Sequence, residues 1–158
     1  MAPGTQFFLP FVASAAVVAT AALAAPVSEN GRRFTVQLDG HQECSAPGVC
    51  NTGDQDGTGT ATIWVNAGQE RVCWEIHVSN ITLPATAAHI HDAPVGQPGP
   101  IDVPLSAPDA SGNSVGCVDL DRDEALEIIT DPVTYYVNVH NSDFPAGAVR
   151  GQMTHKPN

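Results

Sequence analysis

Alternation of apolar and polar side chains is the feature that most narrows what this chain can become. Over residues 71–78, Val72, Trp74, Ile76 and Val78 fall on one side. Over residues 133–140, Val133, Tyr135, Val137 and Val139 face one way, and Thr134, Tyr136, Asn138 and His140 the other. A period of two is the period of a β-strand, so each run predicts one. Shorter β-like runs cover residues 33–38, 60–65, 87–91, 101–105, 114–120 and 148–153, with polar, Gly-rich chain over 39–59. Pro100 and Pro104 confine the 101–105 run to a sheet edge. The turn cluster at 66–70 joins two runs into a hairpin. The 14 glycines and 13 prolines, with only 15% charged residues, disfavour helix. One short helix is expected after Asp121, with Asp121 as its cap, Glu124 completing a capping box, and Asp131-Pro132 ending it. Seven or eight short strands at near-regular spacing predict an all-β fold, an antiparallel sandwich or barrel.

The chain has 158 residues and a net charge of −11, from 6 Lys+Arg against 17 Asp+Glu. That length fits a single domain behind a leader. Residues 1–24 carry no charged side chain and end in Ala22-Leu23-Ala24, a small-residue cleavage pattern, so they read as a secretory signal peptide. Residues 25–158 then form the domain, its core about residues 33–154. The acidic balance excludes a nucleic-acid partner and docking on an anionic membrane, since both need clustered Lys and Arg. Export makes the even set Cys44, Cys50, Cys73 and Cys117 a disulfide framework with three possible connectivities. Pro47-Gly48 can turn Cys50 back on Cys44, while Cys73 and Cys117 each lie within a strand. The pairing Cys44–Cys50 with Cys73–Cys117 therefore needs the least rearrangement.

His89-Ile90-His91 is the sharpest chemical signal. Residues i and i+2 of a strand share a face, so both imidazoles project together, and imidazole suits copper and zinc. His140, at the end of the 133–140 strand, supplies a third ligand, with His41 or His77 as a candidate fourth. Asp92 or Asn138 would orient them. Because each ligand must be neutral, binding is expected to fade through the ordinary histidine range, about pH 6–7. The acidic stretches Asp54-Gln55-Asp56 and Asp119 to Asp123 lack the calcium-loop pattern and read as a solvated turn and a helix cap. Asn80-Ile81-Thr82 is a glycosylation sequon. No nucleophile elbow, phosphate loop or dinucleotide motif is present.

Four segments together resemble the CHRD domain, the family named for its occurrence in chordin. They are Leu38-Asp39-Gly40-His41-Gln42-Glu43, the stretch from Ala88-His89-Ile90-His91-Asp92 to Pro98-Gly99-Pro100, Tyr136-Val137-Asn138-Val139-His140, and Pro145 through Arg150-Gly151-Gln152-Met153. The resemblance implies an immunoglobulin-like β-sandwich or barrel related to copper/zinc superoxide dismutases, with an H-x-H pair on a strand. It strengthens the metal reading of His89, His91 and His140. Arg150 has two candidate roles: it is expected to pair with Glu43 through a two-point charge-assisted bond that locks the first and last strands together, and the alternative is that it attracts a small anion to a metal. Gly151 marks a close backbone approach.

Two functions follow as expectations. One is a secreted binding or extracellular structural module without turnover, presenting loop 93–100 to an extracellular ligand on a disulfide-braced scaffold. The alternative is a copper- or zinc-binding protein with superoxide dismutase-like redox activity. Turnover is expected to be slight, because six cations against 17 acids steer no anion toward the site. Peptide mapping without reductant is expected to recover Cys44 linked to Cys50 and Cys73 linked to Cys117; free thiols, or a Cys50–Cys73 peptide, would contradict the framework.

Overall fold

The structure, a computed structural model, describes residues 30–155 together with Met1. The leader expected over residues 1–24 lies, Met1 apart, outside the described residues. The strands are β1 (Arg32–Asp39), β2 (Cys44–Ala46), β3 (Val49–Cys50), β4 (Thr58–Asn66), β5 (Arg71–Ser79), β6 (Ala87–Asp92), β7 (Ile101–Leu105) and β8 (Asn113–Asp119). Helix α1 (Arg122–Thr130) follows, then β9 (Tyr135–His140) and β10 (Val149–Gln152). Eight of the strands make one antiparallel sheet in the order β7-β6-β9-β10-β1-β4-β5-β8, curled into a nearly closed barrel. β2 and β3 form a separate hairpin in the segment expected to be loop, where Gly48 takes the left-handed turn position at φ 74°.

Alternation decides which side chains enter the barrel. Phe34, Ile63 and Trp74 line up across β1, β4 and β5, and all three belong to the apolar core. The β4–β5 hairpin closes as the turn chemistry predicts: Asn66 Oδ1 accepts from the backbone N–H of Gly68 and of Gln69 at 3.1 and 3.0 Å. Trp74 extends across β8, where Gly116 is its register partner and leaves room for the ring. Its indole N–H donates to Ser114 Oγ at 2.9 Å, and that hydroxyl donates to the Ser106 carbonyl at 2.6 Å. Gly151 likewise has backbone of β1 where a side chain would stand, as expected from its place in the last strand.

Both disulfides join the cysteines that the spacing favours. Cys73 and Cys117 are register partners across β5 and β8, and Cys44 and Cys50 are partners across β2 and β3. The Cys73–Cys117 bridge, with a sequence separation of 44, ties down the last strand of the sheet. In the loop-entropy picture a closure of that length stabilises by about 4 kcal/mol.

Two expectations change in detail. Asp121 caps α1 by accepting from the Asp123 N–H at 2.9 Å, but Glu124 does not complete a capping box. Its carboxyl lies near Asp102 of β7 instead, and burial and the neighbouring carboxylates raise the pKa of both. The strand expected over 133–140 begins only at Tyr135, because Pro132–Thr134 form a 3-10 turn. All six residues of β9 are buried, although its alternation predicts one wet face. Tyr135, Val137 and Val139 fill the barrel; Tyr136, Asn138 and His140 point outward and are covered by loops.

Gly116→Ala is expected to push a methyl group into the Trp74 ring and cost about 1–3 kcal/mol. Gly68→Ala, in the open β4–β5 turn, is expected to stay within about 0.5 kcal/mol of the parent. Urea unfolding midpoints of the two variants check the contrast.

Candidate metal centre

β6 sends Ala88 and Ile90 into the core, so His89 and His91 emerge on the outer face, as the alternation requires. β9 lies alongside with His89 opposite Asn138, His91 opposite Tyr136 and Ala87 opposite His140. His140 is therefore diagonal to His89, on the same outer face. One ligand atom from each of His89, His91 and His140 lies within 4.8 Å of the others. The expected trio is thus brought together. His41 and His77 do not join it: His41 is exposed beside Asp39, and His77, on β5, bonds Asn113 at 2.7 Å.

Loop carbonyls set the tautomers. His91 donates from Nδ1 to the Gly99 carbonyl at 3.0 Å, and His140 donates from Nδ1 to the Pro145 carbonyl at 3.2 Å. Each is left with its Nε2 lone pair turned away from the loop that holds it. His140 Nε2 accepts from His89 Nδ1 at 3.1 Å. His91 Nε2 is buried and has no partner at all. A proton moved to the other nitrogen of His89 leaves three lone pairs in one cluster.

Burial keeps these rings neutral. It is the first cause of the lowered pKa of each, and the His89 value falls to about 4 as the charges of His140 and His91 add to it. For His91 the charge of Arg150 acts in the same direction, against its hydrogen bonding to the backbone at 99–100 and the charge of Asp102. Burial thus favours neutral imidazoles, available as ligands, to lower pH than the ordinary histidine range of the sequence expectation.

The loop that holds His91 is itself strapped down. Tyr136 stacks on His91 with ring centroids 4.8 Å apart and planes 5° apart, and its hydroxyl accepts from the Gly99 N–H at 3.1 Å. The Arg150 guanidinium lies 3.4 Å from the Tyr136 ring centroid. It donates to the Gln97 carbonyl at 2.8 Å, the Pro94 carbonyl at 3.3 Å and Gln152 Oε1 at 3.1 Å. Gln152 in turn donates to the carbonyls of Ala93, Val133 and Tyr135. Gly99 packs against the Asp92 carbonyl so closely that no side chain fits.

The two-point bond expected between Glu43 and Arg150 is not formed. Three of the five guanidinium hydrogens go to the loop and to Gln152, because those carbonyls lie where β10 presents the side chain. Glu43 still feels the Arg150 charge, but burial outweighs it and raises the carboxyl pKa. Its Oε1 accepts from the Cys44 N–H at 3.2 Å, while Oε2 is buried without a donor. Tyr136, Pro145 and Gln152 lie in the segments that resemble the CHRD domain, yet nothing in their spacing marks their roles in holding the loops. The one local signal for the loop was Gly99 between two prolines, and the partners of that loop are scattered along the chain.

A sequence model of the CHRD domain matches residues 34–153 of the chain. No curated protein and no solved structure matches it significantly.

A histidine whose pKa is lower folded than unfolded binds more protons when unfolded, so stability is complete above the unfolded pKa of about 6.5 and falls as pH drops from there toward the folded value. The His89 ring, followed by NMR, is expected to titrate near pH 4. Stability is expected to decline as pH falls below about 6.5, and His89→Gln is expected to flatten that decline; urea melts at a series of pH values measure it.

Proposed function

The chain belongs to the CHRD-domain family, and from that premise we propose that it is a secreted module that binds Zn(II) or Cu(II) through His89, His91 and His140. Two disulfides fit an oxidising, extracellular compartment. One observation carries the metal reading. Among the described residues five buried side-chain polar atoms have no partner, and of these His91 Nε2 alone belongs to a cluster of metal-ligating groups. It stands in a cluster with two further imidazoles. A metal ion satisfies it, and the carbonyls of Gly99 and Pro145 are the outer partners that orient a ligating histidine.

Binding, not turnover, is the reading the surroundings support. Arg150, the cation that could have guided an anionic substrate, is 1% exposed and bonded to loop carbonyls. Beside the centre, loop 93–100 presents Val95, 75% exposed, on a rigidly strapped backbone. That exposure favours a second role in holding an extracellular partner.

Elemental analysis of protein purified without a histidine tag is expected to show one equivalent of metal, and none in His91→Ala. In calorimetric titrations, His91→Ala and His140→Ala are expected to lose more affinity than the about 10–100-fold that removal of an orienting partner costs. His77→Ala and His155→Ala are expected to leave binding unchanged. Equal affinity in all four variants would remove the trio as the site.

A further inference from the structure

We infer that the metal held by His89, His91 and His140 takes a small inorganic anion from solvent as its fourth ligand, in preference to a neutral donor. This rests on the metal reading above and concerns what that centre would recognise.

Charge is the first consideration. All three donors are neutral imidazoles, and among the described residues no carboxylate or thiolate joins the cluster. A divalent ion there keeps both of its positive charges. Asp102 is felt at His91 and Asp92 follows His91 in the chain, but neither carboxylate joins the three imidazoles. Arg150 adds a charge of the same sign as the metal. It lies against Tyr136, the ring that stacks on His91, so one aromatic ring separates the guanidinium from a ligand. A partly desolvated site of this kind gains more from an anion than from a neutral donor, because the interaction is charge with charge in a medium that screens less than water.

Access is the second consideration. His91 and His140 are 7% and 8% exposed, covered by the loops that accept their Nδ1 protons, whereas His89 is only partly buried. A ligand from solvent therefore arrives on the His89 side. The covering loops are held by Arg150, Gln152 and Tyr136, so the entry does not widen easily, and a small ligand is favoured. The exchange is a simple substitution: the anion donates a lone pair to the metal, a bound water leaves, and no electron is transferred.

Azide is the probe, and pyridine is the neutral comparison. Full-length protein loaded with one equivalent of Cu(II) is titrated with each, and visible absorption and the copper electron paramagnetic resonance spectrum are followed. Azide is expected to bring up a saturable charge-transfer band and to alter the copper signal, at a concentration at least tenfold below that at which pyridine acts. His89→Ala, which removes the ligand on the entry side, is expected to change the midpoint of the azide titration. Copper bound at the trio with spectra that azide leaves unmoved would overturn the inference while leaving the metal site standing. So would pyridine acting as readily as azide. A failure to bind copper, or binding unchanged in His91→Ala, would overturn the metal reading itself and this inference with it.

Discussion

The burial of Arg150 is the constraint on which the outer face of this barrel depends. Its guanidinium is removed from water, and among the described residues its hydrogen-bond partners are carbonyls and Gln152, not carboxylates. Such a charge costs several kcal/mol to desolvate unless its hydrogens find acceptors. They find the carbonyls of Pro94 and Gln97 and the side chain of Gln152, and the cation rests on the Tyr136 ring. Charge-assisted bonds to carbonyls and a desolvated cation–π contact offset that cost. The same contacts bind loop 93–100 to the sheet. Without them, the outward side of β9 would be a wet surface like that of an ordinary sandwich strand.

Covering that face changes the chemistry of the histidines. An imidazole on an open strand face keeps its solvent shell and titrates near its usual value. Here the loops take away water and return one carbonyl each to His91 and His140, so the rings are held neutral and oriented, and His91 Nε2 is left without a partner. The consequence is a cluster of nitrogen donors held by the backbone of two loops rather than by side chains. The arrangement also couples distant parts of the chain. Tyr136 touches both His91 and Arg150, so the strap that holds the loop and the ring that would hold a metal share one side chain.

The scaffold beneath is less specialised. Its stability rests on an apolar barrel interior and on a disulfide that ties the outermost strand β8 to β5. β7 and β8, the two ends of the sheet, stand close together without pairing as a ladder. Prolines flank and interrupt β7, which keeps that edge from recruiting another strand. Helix α1 packs Ala125 and Ile128 into the core, and Glu124 reaches from it to Asp102 on β7.

Much of this was legible without coordinates, and the reason is physical. Alternation, turn residues and the cap at Asp121 are interactions between near neighbours, so the sequence by itself determined the eight strands of the barrel, the β4–β5 hairpin, the helix and the shared face of His89 and His91, though not the β2–β3 hairpin. The parity and spacing of the cysteines pointed to the pairing that the sheet register then realised. Tertiary structure alone decided what depends on residues far apart in the chain. His140 meets His89 across 51 positions because β6 and β9 pair with a particular register. Arg150 bonds a loop 53 positions away in place of Glu43, since a guanidinium takes whichever acceptors surround it once water is gone. The outer face of β9 reads as exposed because alternation describes one strand on one sheet; only the packing of loops over that sheet determines which of its faces stays wet.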